Sequence, residues 1–264
     1  MKTILVPLGN SNKAICTLQY AVDYALVCGA KIYVIQVYGL ANATYAMKKM
    51  DTILEADTKE ELAHILSKVD TKNIEIISKP VKGSITDSIS RIAKQLNVDL
   101  VIASAKNSSA DSSIYLGPIT GGLVKNTDLP MLIVPKDYVF KPIKNILLGL
   151  KSGVIKHNHV LDPLHNLINV FKAKVNLLHV ITPHNTEDDN TLDNQFKAVA
   201  NNIIKSENAT VFQGVLEHLL GVNPDMLCVI RRKRGFFSRL WEQSSVKKID
   251  FESRIPLLVL KGNQ

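Results

Sequence analysis

Almost nothing in this chain announces a reaction. Its 264 residues contain no GxxxxGKS/T cradle, no HExxH pair and no GxSxG turn, so the P-loop, zinc-peptidase and serine-hydrolase signatures are all missing. Ser108, Ser109, Ser112 and Ser113 crowd one stretch, but no histidine or acid is tied to them in the sequence, and they read as a polar loop. Cysteine is scarce: Cys16, Cys28 and Cys228 are odd in number and form no CxxC pair, which argues against a disulfide framework or a thiolate metal site. Each lies in an apolar periodic segment and is expected to be a buried, reduced thiol of a cytoplasmic protein. His157, His159 and His165 lack a carboxylate or thiol to complete a tetrahedral set, so no metal is expected. No apolar run approaches the roughly 18 residues of a membrane span. The opening "MKTILVPLGN" turns polar too soon for a leader and reads as a strand.

What is present is a repeat. "NVDLVIAS" (97–104) resembles "NPDMLCVIR" (223–231), and "DLPMLIVPK" (128–136) resembles "RIPLLVLKG" (254–262); both pairs align at a spacing of 126. "KTILVPLG" (2–9) matches "KNILLGLK" (144–151) at 142, and "AKIYVIQVY" (30–38) matches "AKVNLLHVI" (173–181) at 143. The chain is two related copies, the second about 16 residues shorter through a loss between its second and fourth strands. With the boundary in "KDYVFKP", the domains are 1–138 and 143–264.

Each copy alternates Val/Ile/Leu-rich runs with helical patterns. In copy one the strands fall near 2–7, 31–38, 74–79, 99–104 and 131–135; in copy two, near 145–150, 174–181, 209–213, 226–230 and 257–260. Unbroken apolar runs suit parallel strands buried on both faces. Ala14, Leu18, Ala21, Ala25 and Leu26 recur at helical spacing behind Ser11 as N-cap, and Ser84 precedes "ITDSISRIAKQL" in the same way. His179 is expected as a satisfied strand residue, and Glu187-Asp188-Asp189 as a helix start favoured by the macrodipole. Strand–helix alternation implies right-handed crossovers and an α/β fold of two tandem, doubly wound, Rossmann-like open parallel sheets with helices on both faces. If each copy is wound 3-2-1-4-5, the ligand crevice of copy one lies between strands one and four, lined by "PLGNS" and "SAKNSS", with a helix opening near Leu116–Pro118. The apolar last strands, "MLIVP" and "LLVLK", are exposed edges unless they meet each other or another chain, and are expected to do so.

The net charge of +8 is unevenly placed. Residues 231–248 hold seven basic groups and one acid, Glu242, with Phe236, Phe237 and Trp241 among them. Arg231, Arg232 and Arg234 are candidate anion ligands, since guanidinium can hold phosphate where glycine amides are missing. The alternative is a solvated face over aromatics packed on the sheet. No nucleic-acid motif accompanies the run, so nucleic acid is not expected.

"ILVPLGNSNKA", "VDLVIAS…YLGPITGGLVKNTDLPMLIVP", "ILLGLKSG" and "PDMLCVIRRKRGFFSRLWEQSSVKKIDFESRIPLLVL" resemble, in order, the elements of a tandem universal stress protein, over nearly the whole chain. The resemblance implies the 3-2-1-4-5 order, a dimer-like pairing of the two halves and a role in stress tolerance. Part of that family binds ATP through Gly-x2-Gly-x9-Gly-Ser/Thr and an Asp after strand one. Here those positions are Ser104, Asn107, Gly117 and Pro118, with Gly9 in place of the Asp; in copy two they are Arg231, Arg234, Ser244 and Ser245, with Lys151 for the Asp. Glycine lets backbone approach phosphate, and proline removes an amide. Two or three lost charged hydrogen bonds weaken binding on the order of 10³-fold, from micromolar to millimolar. The sequence therefore predicts a non-enzymatic, cytoplasmic binding module with degenerate nucleotide loops and no required cofactor. ATP would be a weak ligand at most, held in a crevice of Gly9, Ser11, Val37, Ser104, Asn107 and Gly117. The alternative is an ATP-binding or slowly hydrolysing protein using the same loop. The halves pair within the chain, while homo-oligomerisation and an unnamed protein or small-molecule partner stay open.

Overall fold

The apolar runs of both copies become strands of one sheet. The computed structural model describes residues 1–9, 13–39, 48–105, 114–155, 157, 159–183, 185–231, 246–247 and 253–262. In chain order the first copy comprises β1 (Thr3–Leu8), α1 (Lys13–Cys28), β2 (Lys31–Tyr38), α2 (Lys48–Ser67), β3 (Ile76–Lys82), α3 (Ile85–Gln95), β4 (Leu100–Ser104), β5 (Ile114–Leu116), α4 (Pro118–Asn126) and β6 (Met131–Val134). The second comprises β7 (Asn145–Leu150), α5 (Asp162–Phe171), β8 (Lys174–Ile181), α6 (Glu187–Asn190), α7 (Asn194–Val199), β9 (Asn202–Glu207), α8 (Val211–Val222), β10 (Met226–Arg231), β11 (Val246–Lys247) and β12 (Leu257–Lys261).

The ten-stranded order is β3-β2-β1-β4-β6-β12-β10-β7-β8-β9, so each half is wound 3-2-1-4-5 and the two run outward from a shared centre. Within each half every pairing is parallel; β6 and β12 meet antiparallel, Leu132 opposite Leu258. The last strands thus remove each other's edge. A second tie is the antiparallel pair β5–β11, with Leu116 opposite Val246.

Two apolar layers cover the sheet. One packs Leu18, Ala21 and Leu62 of copy one with Leu164, Leu167 and Phe196 of copy two; the other packs Ile89, Ala93, Leu123 and Val124 with Val211 and Val215. The first layer crosses the boundary through the linker: Phe140 meets Tyr20 edge-on with centroids 5.4 Å apart, lies 6.2 Å from Phe171, and Tyr24 lies 5.6 Å from Phe171. Repetition extends to single atoms. Asp99 Oδ2 accepts the amides of Lys2 and Thr3 (2.6 and 3.0 Å), and Asp225 Oδ2 accepts those of Lys144 and Asn145 (2.8 and 2.9 Å).

Some expectations need correction. The third strand of copy two is not at 209–213: it is β9, and Thr210 caps α8 through the Gln213 amide. The half-exposed edge strand "NIIKSE" carries a weaker apolar signal than the "TVF" that follows it. The missing length of copy two lies between β8 and β9, where residues 182–201 replace 39–75. Cys16 is exposed and Cys28 half-buried, leaving Cys228 as the buried thiol. Leu26 is 50% exposed while Ala14, Leu18, Ala21 and Ala25 are buried. Ser84 sits at the N-cap of α3 without a side-chain hydrogen bond, and Ser11 lies outside the described residues.

Candidate functional site

The first crevice opens where strand order reverses, beyond the carboxyl ends of β1 and β4. Gly9 follows the last residue of β1 and offers no side chain. Val37, half-buried, is one step beyond Gln36, the partner of Leu8. Ser104 ends β4 in regular ladder with Val134, so its backbone needs no glycine there. Its carbonyl accepts the Thr120 hydroxyl at 2.7 Å, and the Ala105 carbonyl accepts the Gly117 amide at 3.0 Å. These bonds dock the start of α4 onto the end of β4. Gly117 is the N-cap, at φ −66° and ψ 165°, and Pro118 follows at the first helical position. The helix thus opens toward the crevice with one cap lacking a side chain and one residue lacking an amide. The structure brings Ser104 and Gly117 together through Ala105 and sets Gly9 and Val37 along the β1–β2 side. Ser11 and Asn107 lie outside the described residues.

The second crevice is built differently. Residues 185–193 fold back over the continuation of β7. Asn185 Nδ2 donates to the Lys151 carbonyl (3.1 Å), the Gly153 amide to the Asp189 carbonyl (3.2 Å), and the Asp193 amide to the Gly153 carbonyl (2.8 Å). A Cβ on Gly153 would lie 1.9 Å from the Thr191 carbonyl oxygen, so only glycine allows this approach. The short α6 is held by a capping box between Thr186 and Asp189. Burial raises the Asp189 carboxyl, but the Thr186 amide, the Ser152 and Thr186 hydroxyls and the Lys151 charge outweigh it and bring it below the usual range. Beneath this segment His179 is fully buried, its Nε2 2.9 Å from the Asp189 carbonyl; Nδ1 has no partner among the described residues, so the expected satisfaction covers one nitrogen of two. Copy one carries Gln36 at the equivalent place, donating to Glu61 at 2.7 Å.

Of the basic segment, Arg231 is placed; Arg232, Arg234, Phe236, Phe237 and Trp241 lie outside the described residues. Arg231 closes β10 half-buried, and its register partner on β12 is Lys261, only 8% exposed. Sequence reading missed Lys261, although a lysine ending the apolar "LLVL" at the position of Pro135 in copy one was a visible signal.

Of the histidines before α5, His159 pairs with Asp162 (2.9 Å) at an exposed helix start. Among the described residues no three His, Cys, Asp or Glu side chains cluster as metal ligands. A groove of about 740 Å³ lies at the opposite, amino-terminal ends of β7 to β9, where Asn176 replaces the Tyr33 of copy one. Its Glu217 carboxylate already accepts from Asn208 and Gln213.

Two parallel arms with helices on both faces define a Rossmann-like α/β protein. The profile of the universal stress protein family matches residues 1–135, just over half of the chain. Universal stress protein MJ0531 of Methanocaldococcus jannaschii is 21% identical over 140 residues, 51% of this chain and 82% of that protein. A universal stress protein from Archaeoglobus fulgidus superposes with a TM-score of 0.74 at 16% identity, over 99% of this chain and 98% of that one. A functionally unknown protein from Pseudomonas aeruginosa PAO1 gives 0.60 at 13% identity, over 99% and 93%. The chain belongs to the universal stress protein family. Among the described residues no helix is long and apolar enough to cross a membrane.

Proposed function

We propose that the chain is a non-enzymatic, cytoplasmic stress-response protein of two domains (1–138 and 143–264) that acts as a binding and regulatory module and has given up firm ATP binding. The observation that carries this reading is that the protein's own residues 185–193 cover the loop after β7, where their hydrogen bonds occupy the Lys151 carbonyl and both the amide and carbonyl of Gly153. The first crevice supports it: Gly9 supplies no carboxylate for a nucleoside, and Gly117-Pro118 supplies neither a capping hydroxyl nor a full set of amides. Each missing charged hydrogen bond removes about 1.5–3 kcal/mol. The module has no required cofactor, and its partner is a protein or small molecule that tolerates these losses.

The test is thermal denaturation of the full chain against ATP with Mg²⁺. The expected response is none below the millimolar range. A stabilisation that saturates at low micromolar ATP overturns the reading and favours the second one, an ATP-binding or slowly hydrolysing protein using Gly9, Ser11, Val37, Ser104, Asn107 and Gly117. That second reading draws on one observation: α4 keeps its amino terminus at the end of β4.

A further inference from the structure

Arg231 and Lys261 are neighbours by register, not by sequence. They end the parallel strands β10 and β12 as direct partners, so both side chains leave the same face of the sheet. That face carries α4, and the Lys261 ammonium reaches the Val124 carbonyl in its last turn. Arg231 is half-buried and Lys261 nearly fully so. Among the described residues one carboxylate bears on both, that of the exposed Asp128. Two like charges directly opposite on adjacent strands repel, and one exposed acid leaves the pair with an excess of positive charge. The pair also stands at the carboxyl ends of parallel strands, the side on which open α/β sheets receive ligands.

We propose that Arg231 and Lys261 form the floor of a binding site for a small tetrahedral oxyanion, a phosphoryl group either free or carried by a small molecule. The guanidinium offers a planar pair of donors and the ammonium a point charge, the two modes by which proteins hold phosphate. Burial and the Arg231 charge work against the Lys261 cation, pulling it down to about 7, with Asp128 opposing; an arriving anion supplies the missing counter-charge. The site goes beyond the functional reading above and stands whether or not the first crevice takes a nucleotide.

Calorimetric titration of the full chain with sodium phosphate at constant ionic strength tests this. Saturable uptake is expected, and Arg231→Gln and Lys261→Met should each weaken it by about ten-fold or more, the effect of one lost charged hydrogen bond. Lys261→Arg, which keeps the charge, should retain most of it. AMP should compete with phosphate if a carried phosphoryl group also fits, and adenosine should not. Absence of saturable uptake by the wild type overturns the proposal, because the charge is then met within the chain. So does unchanged affinity in both folded neutral variants. Should those two fail to fold, Asp128→Asn decides: removing the opposing charge should tighten binding, and unchanged affinity refutes the site.

Discussion

Asp225 does for the second half what Asp99 does for the first: one oxygen of each accepts the two amides that open the adjacent central strand. Both come from the loop before strand four, so each carboxylate fixes where strand one begins relative to strand four.

Replacing either residue by alanine should therefore cost about 2 kcal/mol, the loss of charge-assisted bonds partly exposed to water. The halves are distant at these points, so Asp99→Ala and Asp225→Ala should add in the double variant. Urea denaturation measures both; a shortfall from additivity would mean that the two loops communicate.

The aromatic seam gives a second expectation. Phe140 sits between Tyr20, Tyr24 and Phe171, with all three centroids within 6.3 Å. Phe140→Ala should lose about 2–3 kcal/mol, less than the roughly 3–5 kcal/mol of a fully buried phenylalanine, because the ring is half-buried. Since the contact crosses the boundary, a single wild-type unfolding transition should broaden or split in the variant. Calorimetry reads this directly.

Gly153→Ala tests the cover over the loop after β7. The added methyl meets the Thr191 carbonyl, and backbone must move. A destabilisation of about 3 kcal/mol, the upper range for overpacking, is expected. Amide exchange at Gly153 and Asp193, whose amides donate in the parent to the carbonyls of Asp189 and Gly153, should accelerate by orders of magnitude, while β10 stays protected.

Lys261 sets a pH dependence. Its folded pKa, lowered to about 7 by burial and by Arg231 against the pull of Asp128, lies well below the ~10.4 of an unfolded lysine. Between those values the unfolded chain holds the extra proton, so this residue's contribution makes stability rise as pH goes from about 7 to about 10, by at most about 5 kcal/mol. The Val124 carbonyl accepts from the ammonium or the neutral amine, so the hydrogen bond survives the change. Comparing denaturation of wild type and Lys261→Met across that window isolates the effect, which should vanish in the variant.

The strand–helix alternation and the meeting of β6 with β12 were legible because long apolar runs, repeated at fixed spacing, leave few ways to bury both faces; the strand order within each half was implied only by the family resemblance. β9 was not, since an edge strand is half in water and its residues alternate only weakly. The capping box at Thr186 could be anticipated in part from Glu187-Asp188-Asp189, a local signal. The cover over the loop after β7 could not: it depends on Asn185 finding the Lys151 carbonyl, 34 positions away. The candidate anion ligands show the same limit. Sequence grouped Arg231 with its chain neighbours, whereas the sheet sets it beside Lys261, a residue that strand register alone could select.

The antiparallel joint between β6 and β12 has a further consequence. In a symmetric homodimer every substitution on the twofold axis is made twice, and any charge placed there confronts its own image. Joining the copies in one polypeptide lifts that restriction. Proline can stand after one central strand and lysine at the matching place of the other, Pro135 and Lys261, without either being mirrored. The seam is free to become chemically one-sided while its shape stays two-fold.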